Sequence, residues 1–374
     1  MKKIIVLLIL IAGFFAIQVP VHAQEQTAYA EPEFYRAVVI GEPIENPTTY
    51  EGPFGPALIR QEVPLRILHG PDTGTELTLD FDVKQSDLTH GRLKKSDQVI
   101  VGTQMIAQEK TYYISDIYRL NALWWLLGFF VVLILLLARS GGLRAILGLA
   151  ISFGVIIWIV LPNIQNGGNT IMIAFLSTLL ITTVSIFIAH GFRSRTTIAF
   201  VSTVCTILLS LGLSLFFTDI MHLFGLGSEE AFFLQGTDKT FNLRGILIAG
   251  IIIGTLGVLD DITTAQAAVV EELHLANPNF TAKELFKRGS SVGREHIISL
   301  VNTLILAYTG ASLPLLLLFQ IYERPTWLVL NSEIIMEEIV RMLIGSIALA
   351  LAVPLTTYLA ARYYARKKIT VENK

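Results

Sequence analysis

The sequence predicts an α-helical integral membrane bundle of about seven transmembrane helices, with an N-terminal extracytoplasmic small β-barrel or β-sandwich domain. Three observations carry that expectation. The 374 residues are 53% hydrophobic and 16% charged, with a mean hydropathy of +0.61, too little charge to cover a soluble domain of this length. Apolar runs long enough to cross a bilayer recur from residue 120 onward, and basic residues gather in alternate loops between them. Ahead of those runs, apolar and polar residues alternate with the period of a half-buried strand.

The chain opens MKKIIVLLILIAGFFAIQVPVHA. Two lysines, a short apolar run and small residues at Val21 and Ala23 are the layout of a signal peptide, so residues 1–23 are expected to be removed near Ala23. An uncleaved first helix is the alternative, and it exports the next segment equally well.

Residues 24–116 then form the exported β-rich domain. Leu77, Leu79, Phe81 and Val83 alternate with Thr78, Asp80 and Asp82, and Val63, Leu65 and Ile67 alternate with Glu62, Pro64 and Arg66. The connecting HGPDTG is rich in turn formers, which predicts a hairpin. Pro64 predicts an edge position for its strand. Phe34 to Ile40, Gln98 to Gly102 and Thr111 to Ser115 raise the count to about five strands, suited to an OB-like barrel. Cys205 is the sole cysteine, so no intrachain disulfide supports this domain. It carries no metal cluster, stacking platform or basic stripe, which points to a protein-contact or spacer role and away from nucleic acid.

Residues 117–374 hold the membrane domain. Runs of about 20 apolar residues, the length a bilayer crossing needs, lie near 120–138, 145–162, 170–190, 197–217, 244–266, 296–321 and 334–361. With the β domain outside, the loops assigned to the cytoplasm contain Arg139 and Arg144, Arg193 and Arg195, Lys283, Lys287, Arg288 and Arg294, and finally Arg362, Arg366, Lys367 and Lys368. The opposite loops are nearly free of lysine and arginine, as the positive-inside rule requires, and the C-terminus is cytoplasmic. Trp124, Trp125 and Trp327 lie where aromatic anchors meet the lipid headgroups. In the inner loop NPNFTAKELFKRG, Thr281 and Glu284 have capping-box spacing and Gly289 is placed to end a short helix.

The fifth run ends GTLGVLDDITTAQAAVVEE. A carboxylate inside an apolar helix costs roughly 2.5–3.5 kcal/mol on insertion scales, so such residues face protein or a wet cavity and mark ion or solute paths. Gly250, Gly254, Gly257 and Asp261 share one face, which predicts that Asp261 points into the bundle while Asp260, about 100° away, meets a different neighbour or water. At about 1.5 Å per residue the pair lies some 24 Å from Arg244, in the cytoplasmic third of the bilayer. Glu295, Ser299 and Asn302 share a face of the sixth run, and His190 closes the third at a matching depth. Ser202 and Thr203 lie on the fourth run.

Two uses of these groups stand open. Asp260, Asp261, Glu295, Asn302, His190 and Ser299 could form an ion or solute path. Alternatively, in a structural network, Asp261 bonds Asn302 while Asp260 pairs with Arg294 or is simply solvated at the interface. Glu271 and Glu272 are expected in solvent, and Glu337 and Arg341 as a self-satisfied i,i+4 pair.

The histidines lack ligand spacing with a third donor and HExxH is absent, so no metal or other cofactor is expected. P-loop, GxSxG and Rossmann signatures are also missing, and neighbouring aspartates on one helix do not suit an intramembrane aspartyl protease, so no enzymatic activity is expected.

The stretches GTLGVLDDITTAQAAVVEEL, NPNFTAKELFKRGSSVGREHI and VNTLILAYTGASLPLLLL resemble the signature segments of the YibE/F-like family of bacterial multi-pass membrane proteins. The resemblance implies a bacterial cytoplasmic-membrane location and supplies no activity or site residues. Two functions remain in view. One is a transporter or permease moving a cation or small solute. The other is a non-transporting assembly or sensing protein whose β domain recruits a partner, a second membrane protein or another copy of this chain.

Overall fold

A computed structural model describes residues 33–47, 59–83, 91–106, 109–237, 240–321 and 325–367. The expected signal segment, residues 1–23, lies outside them. The chain divides into two compact units between Leu133 and Ile134.

The first unit is an antiparallel, half-barrel sheet of six strands among the described residues: β1 Phe34–Val39, β2 Ile44–Pro47, β3 Ile59–Ile67, β4 Glu76–Val83, β5 Gln98–Ile106 and β6 Glu109–Ile117. The order is β2-β3-β1-β5-β6, with β4 along the other side of β3. Alternation builds its core from Ala37, Val39, Val63, Leu65, Val99 and Val101, with Leu79 and Phe81 packed against them. The expected hairpin is β3–β4, where Val63 faces Leu79 and Leu65 faces Leu77. β2, short and polar, escaped the alternation pattern.

Pro64 corrects the edge expectation, because β3 is an interior strand. On one side β3 pairs with β4 throughout; on the other it pairs with β2 up to Glu62 and with β1 from Leu65. Pro64 sits at the break between those partners, where its carbonyl accepts from the Ile40 N–H at 2.9 Å and no N–H is required of it. At the surface Lys110 bonds Asp72 at 2.6 Å and Tyr35 at 3.2 Å, while Tyr112 donates to Asp72 at 2.8 Å. Those bonds, the Lys110 one foremost, hold the Asp72 carboxyl below the usual carboxylate range and raise the Lys110 ammonium.

The helices begin before that division, with residues 120–133, and make up the second unit. α1 Leu120–Val155 runs through a π-helical turn, Ile156–Val160, into α2 Leu161–Gln165. After it come α3 Thr170–His190, α4 Ser194–Ile220, α5 Glu229–Gln235, α6 Leu243–Ala276, α7 Ala282–Ala311, α8 Leu313–Ile321, α9 Thr326–Leu330 and α10 Glu333–Tyr364. Among the described residues five helices are long and apolar enough to cross a membrane, or six if α7 and α8, bent by 59°, make one span. That count takes Leu120–Gln165 once, where the hydropathy pattern predicts two runs. The backbone leaves the helix at Arg139, with φ 51 and ψ -129. A Cβ on Gly142 would stand 2.6 Å from the Ile134 carbonyl oxygen, although eight residues of continuous helix would separate them by about 12 Å. The chain therefore turns sharply inside RSGG, between the two predicted runs.

α6 is the central helix, packed against α3, α4, α7 and α10. Its buried stripe includes Ile248, Ile252, Thr255, Leu259, Ile262 and Gln266. Small hydroxyl residues bond across the seams: Thr203 of α4 meets Thr263 of α6 at 2.7 Å, and Ser202 on α4 bonds Thr356 on α10 at 2.5 Å. In a membrane interior such interhelical bonds contribute about 0.6 kcal/mol each on average.

Gly289 does not end a helix, since α7 continues to Ala311 after the expected capping box at Thr281 and Glu284. The glycine serves close packing instead. Gln266 of α6 donates to the Gly289 carbonyl at 2.9 Å and to the Thr357 hydroxyl at 2.7 Å. A Cβ on Gly293 would approach Val353 to 2.4 Å and the Gln266 amide to 3.0 Å. The GSSVG spacing thus lets α7 reach α6 and α10.

At the far end, the Glu333 carboxylate accepts from the N–H groups of Phe224, Gly225 and Leu226, and Glu337 from that of Gly227 at 3.0 Å. Successive backbone donors converging on a carboxylate pin this loop to the start of α10. Arg341 pairs with Glu338 at 2.9 Å, a correction to the Glu337–Arg341 pair, because Glu337 is turned toward the loop.

Candidate functional site

A cavity of about 650 Å³ opens between α1 beyond Gly141, α3 and α6. Its position comes from the helical period. At about 100° per residue, Ile253, Leu256, Gly257, Asp260 and Thr264 fall on a face adjoining the packed stripe of α6, and all five line the cavity. On α1, Gly141, Ala145, Gly148 and Ser152 line it at spacings that share one face. Their small size brings α1 close to α3, where a Cβ on Gly148 would be 3.8 Å from the Ser185 Cα.

Most of the wall is apolar, with Leu149, Phe153, Ile156 and Ile181 among its residues. The polar groups are Asp260, Asp261, His190, Ser152, Ser185 and Thr264. Asp260 is the deeper acid. Ser185 lies close enough to interact with its carboxyl, while Oδ1 is buried without a partner. Asp261 is exposed and lines the same cavity, near enough to His190 for their charges to interact. A second cavity of about 230 Å³ shares His190 and Thr264 with the first and reaches Arg195.

The depth of the two acids is the reverse of the expectation. The glycine face carrying Asp261 lies opposite the packed stripe, about 200° round from Leu259. That stripe is aliphatic and hydroxyl-bearing; the glycines are not its seam. Gly257 borders the cavity, and the space beside Gly254 is bounded by the Tyr308 hydroxyl.

Asp260, Asp261 and His190 are therefore brought together. Glu295, Ser299 and Asn302 are exposed on α7 and do not line this cavity. Among the described residues neither an Asp261–Asn302 bond nor an Asp260–Arg294 pair is present. Ser202 and Thr203 belong to the hydroxyl contacts at the helix seams. Glu271, expected in solvent, is half-buried: it accepts from Tyr364 at 2.9 Å and pairs with Arg195 at 3.4 Å.

Three residues that sequence reasoning passed over matter here. Ser185 precedes His190 by five positions, about 7.5 Å along the helix, a spacing that could have matched it to Asp260. Ser152 was legible in the small-residue face of α1. Gln266, the only amide in TTAQAAVV, was signalled by the paired glycines four residues apart that it meets.

The model of the YibE/F-like protein family matches residues 126–366. No curated protein and no solved structure matches the chain.

Proposed function

The chain belongs to the YibE/F-like family, and from that premise we propose that it is a permease of the bacterial cytoplasmic membrane that moves a cation through the Asp260–Asp261 cavity. One observation carries this reading: a buried carboxylate oxygen without a protein partner borders a cavity large enough to hold a solute. A structural carboxylate at that depth would be expected to spend its acceptors on neighbouring helices, because an unmet buried charge is costly.

In this proposal the β domain is outside, the chain crosses the bilayer at each of the predicted runs, and the turn at Arg139 faces the cytoplasm. The adjoining cavity supplies the route to the aqueous phase, past His190 and Arg195. Asp260 binds the cation at the inner end of that route, with Ser185 orienting its carboxyl. Asp261 and His190, nearer the mouth, exchange it with water. Arg195 is held by Glu271, which keeps a competing cation away from the acids.

The experiment is flux in proteoliposomes containing the full chain. Uptake of a transported cation should fall to background with Asp260→Asn and drop at least tenfold with Asp261→Asn, while Asn302→Ala leaves it unchanged. Equal flux in the wild type and Asp260→Asn would refute the proposal.

A further inference from the structure

We propose that the cation taken by this cavity is a small organic amine with an apolar body, an inference that rests on the permease reading and specifies its substrate. The wall decides between an amine and a metal ion. A hard divalent cation needs about six oxygen ligands, or it retains its water. The polar groups gather around Asp260 and Asp261, and among the described residues no three His, Cys, Asp or Glu side chains converge to hold a metal. Leu149, Phe153, Ile156 and Ile181 offer a hydrated ion nothing in exchange for its shell.

An ammonium group has the complementary needs. It carries three donors and one charge. Asp260 Oδ1 is an acceptor with no protein partner, and Ser152 and Thr264 line the same cavity. The remaining wall then covers the hydrocarbon part of the ligand, with the Phe153 ring as its aromatic element. The volume of about 650 Å³ falls within the roughly 300–1,000 Å³ of sites that enclose small molecules, which are likewise mostly apolar with a few placed polar groups. A divergent pair of acids, one deep and one exposed, suits a monocation that is caught at Asp261 and passed to Asp260. A metal would draw both carboxylates together.

The test is equilibrium binding to the purified full chain with three probes: 1-naphthylmethylamine, the neutral 1-naphthalenemethanol, and magnesium or manganese chloride. The amine should bind saturably, and the alcohol roughly thirtyfold more weakly or worse, as expected when a desolvated charge pair is lost. Asp260→Asn should remove the preference for the amine. Phe153→Ala, which removes the aromatic part of the wall, should weaken the naphthyl amine about tenfold. If the divalent ions bind in an Asp260-dependent manner and the amine does not, the substrate class is overturned while the permease reading stands. If no probe binds, the substrate class is overturned; if Asp260→Asn also leaves flux unchanged, the permease reading falls with it.

Discussion

Two faces of α6 treat polar side chains in opposite ways. On the packed stripe, Thr263 bonds Thr203 across to α4, and Gln266 gives its amide protons to α7 and α10. About 100° away the Asp260 carboxyl has the Ser185 hydroxyl beside it and a buried oxygen without a partner, bordering a cavity. Both groups are costly to bury in hydrocarbon. The first set gives its hydroxyl and amide donors to other helices and acts as an adhesive, while the Gln266 Oε1 is itself buried without a partner. The second leaves an oxygen unmet by protein, and the proposed cation would complement it.

The contrast can be broken first at Gly293. A valine there has no room against Val353 and the Gln266 amide, so Gly293→Val should destabilise the bundle by about 3 kcal/mol, the upper end for overpacking, read by thermal unfolding in detergent. Gln266→Ala removes two interhelical bonds and leaves a void, with an expected cost of about 2 kcal/mol in the same assay. Asp260→Asn should behave oppositely. Replacing an unpaired buried charge by a neutral isostere should leave the bundle as stable or about 1 kcal/mol more stable, while flux is lost. A melting temperature that falls as far for Asp260→Asn as for Gln266→Ala would erase the distinction between the two faces.

The smallest effect lies in the β unit, where Asp72, Lys110 and Tyr112 form a partly exposed cluster. Asp72 is held below its usual range, so its contribution is complete above the unfolded carboxylate value of about 4 and is lost as the pH falls through the depressed folded value. Lys110 is raised, so its share is complete below about 10.5 and is lost as the pH rises through the folded value. Asp72→Asn should therefore lower the unfolding temperature slightly at neutral pH, a difference that disappears once the pH has fallen through the depressed folded value of Asp72. Circular dichroism of the β signal would track the change.

Much of this architecture was legible from local pattern. The β3–β4 hairpin and the core of its sheet come from period-two alternation, the helical runs from hydropathy, and the start of α7 from the capping box. What failed depends on partners distant in sequence. Pro64 reads as an edge residue until β1 and β2 are seen to share one side of β3. Gly289 reads as a stop until Gln266 and Thr357 are found against it. Asp261 reads as the inward acid because glycines ordinarily mark a packed face, whereas here the seam is built of isoleucine, leucine and threonine. Depth placed Asn302 beside the acids; rotation about α7 did not.

Water reaching the acids is the central claim, and thiol accessibility tests it directly. With Cys205→Ser as background, Gly257→Cys and Ser185→Cys should react with a membrane-impermeant, water-soluble thiol reagent supplied from the Arg195 side. Thr263→Cys, on the packed stripe of the same helix, should remain unmodified. Modification of the cavity pair alone is the expected result; if all three positions stay unlabelled in folded protein, the cavity is closed to water and the claim is contradicted.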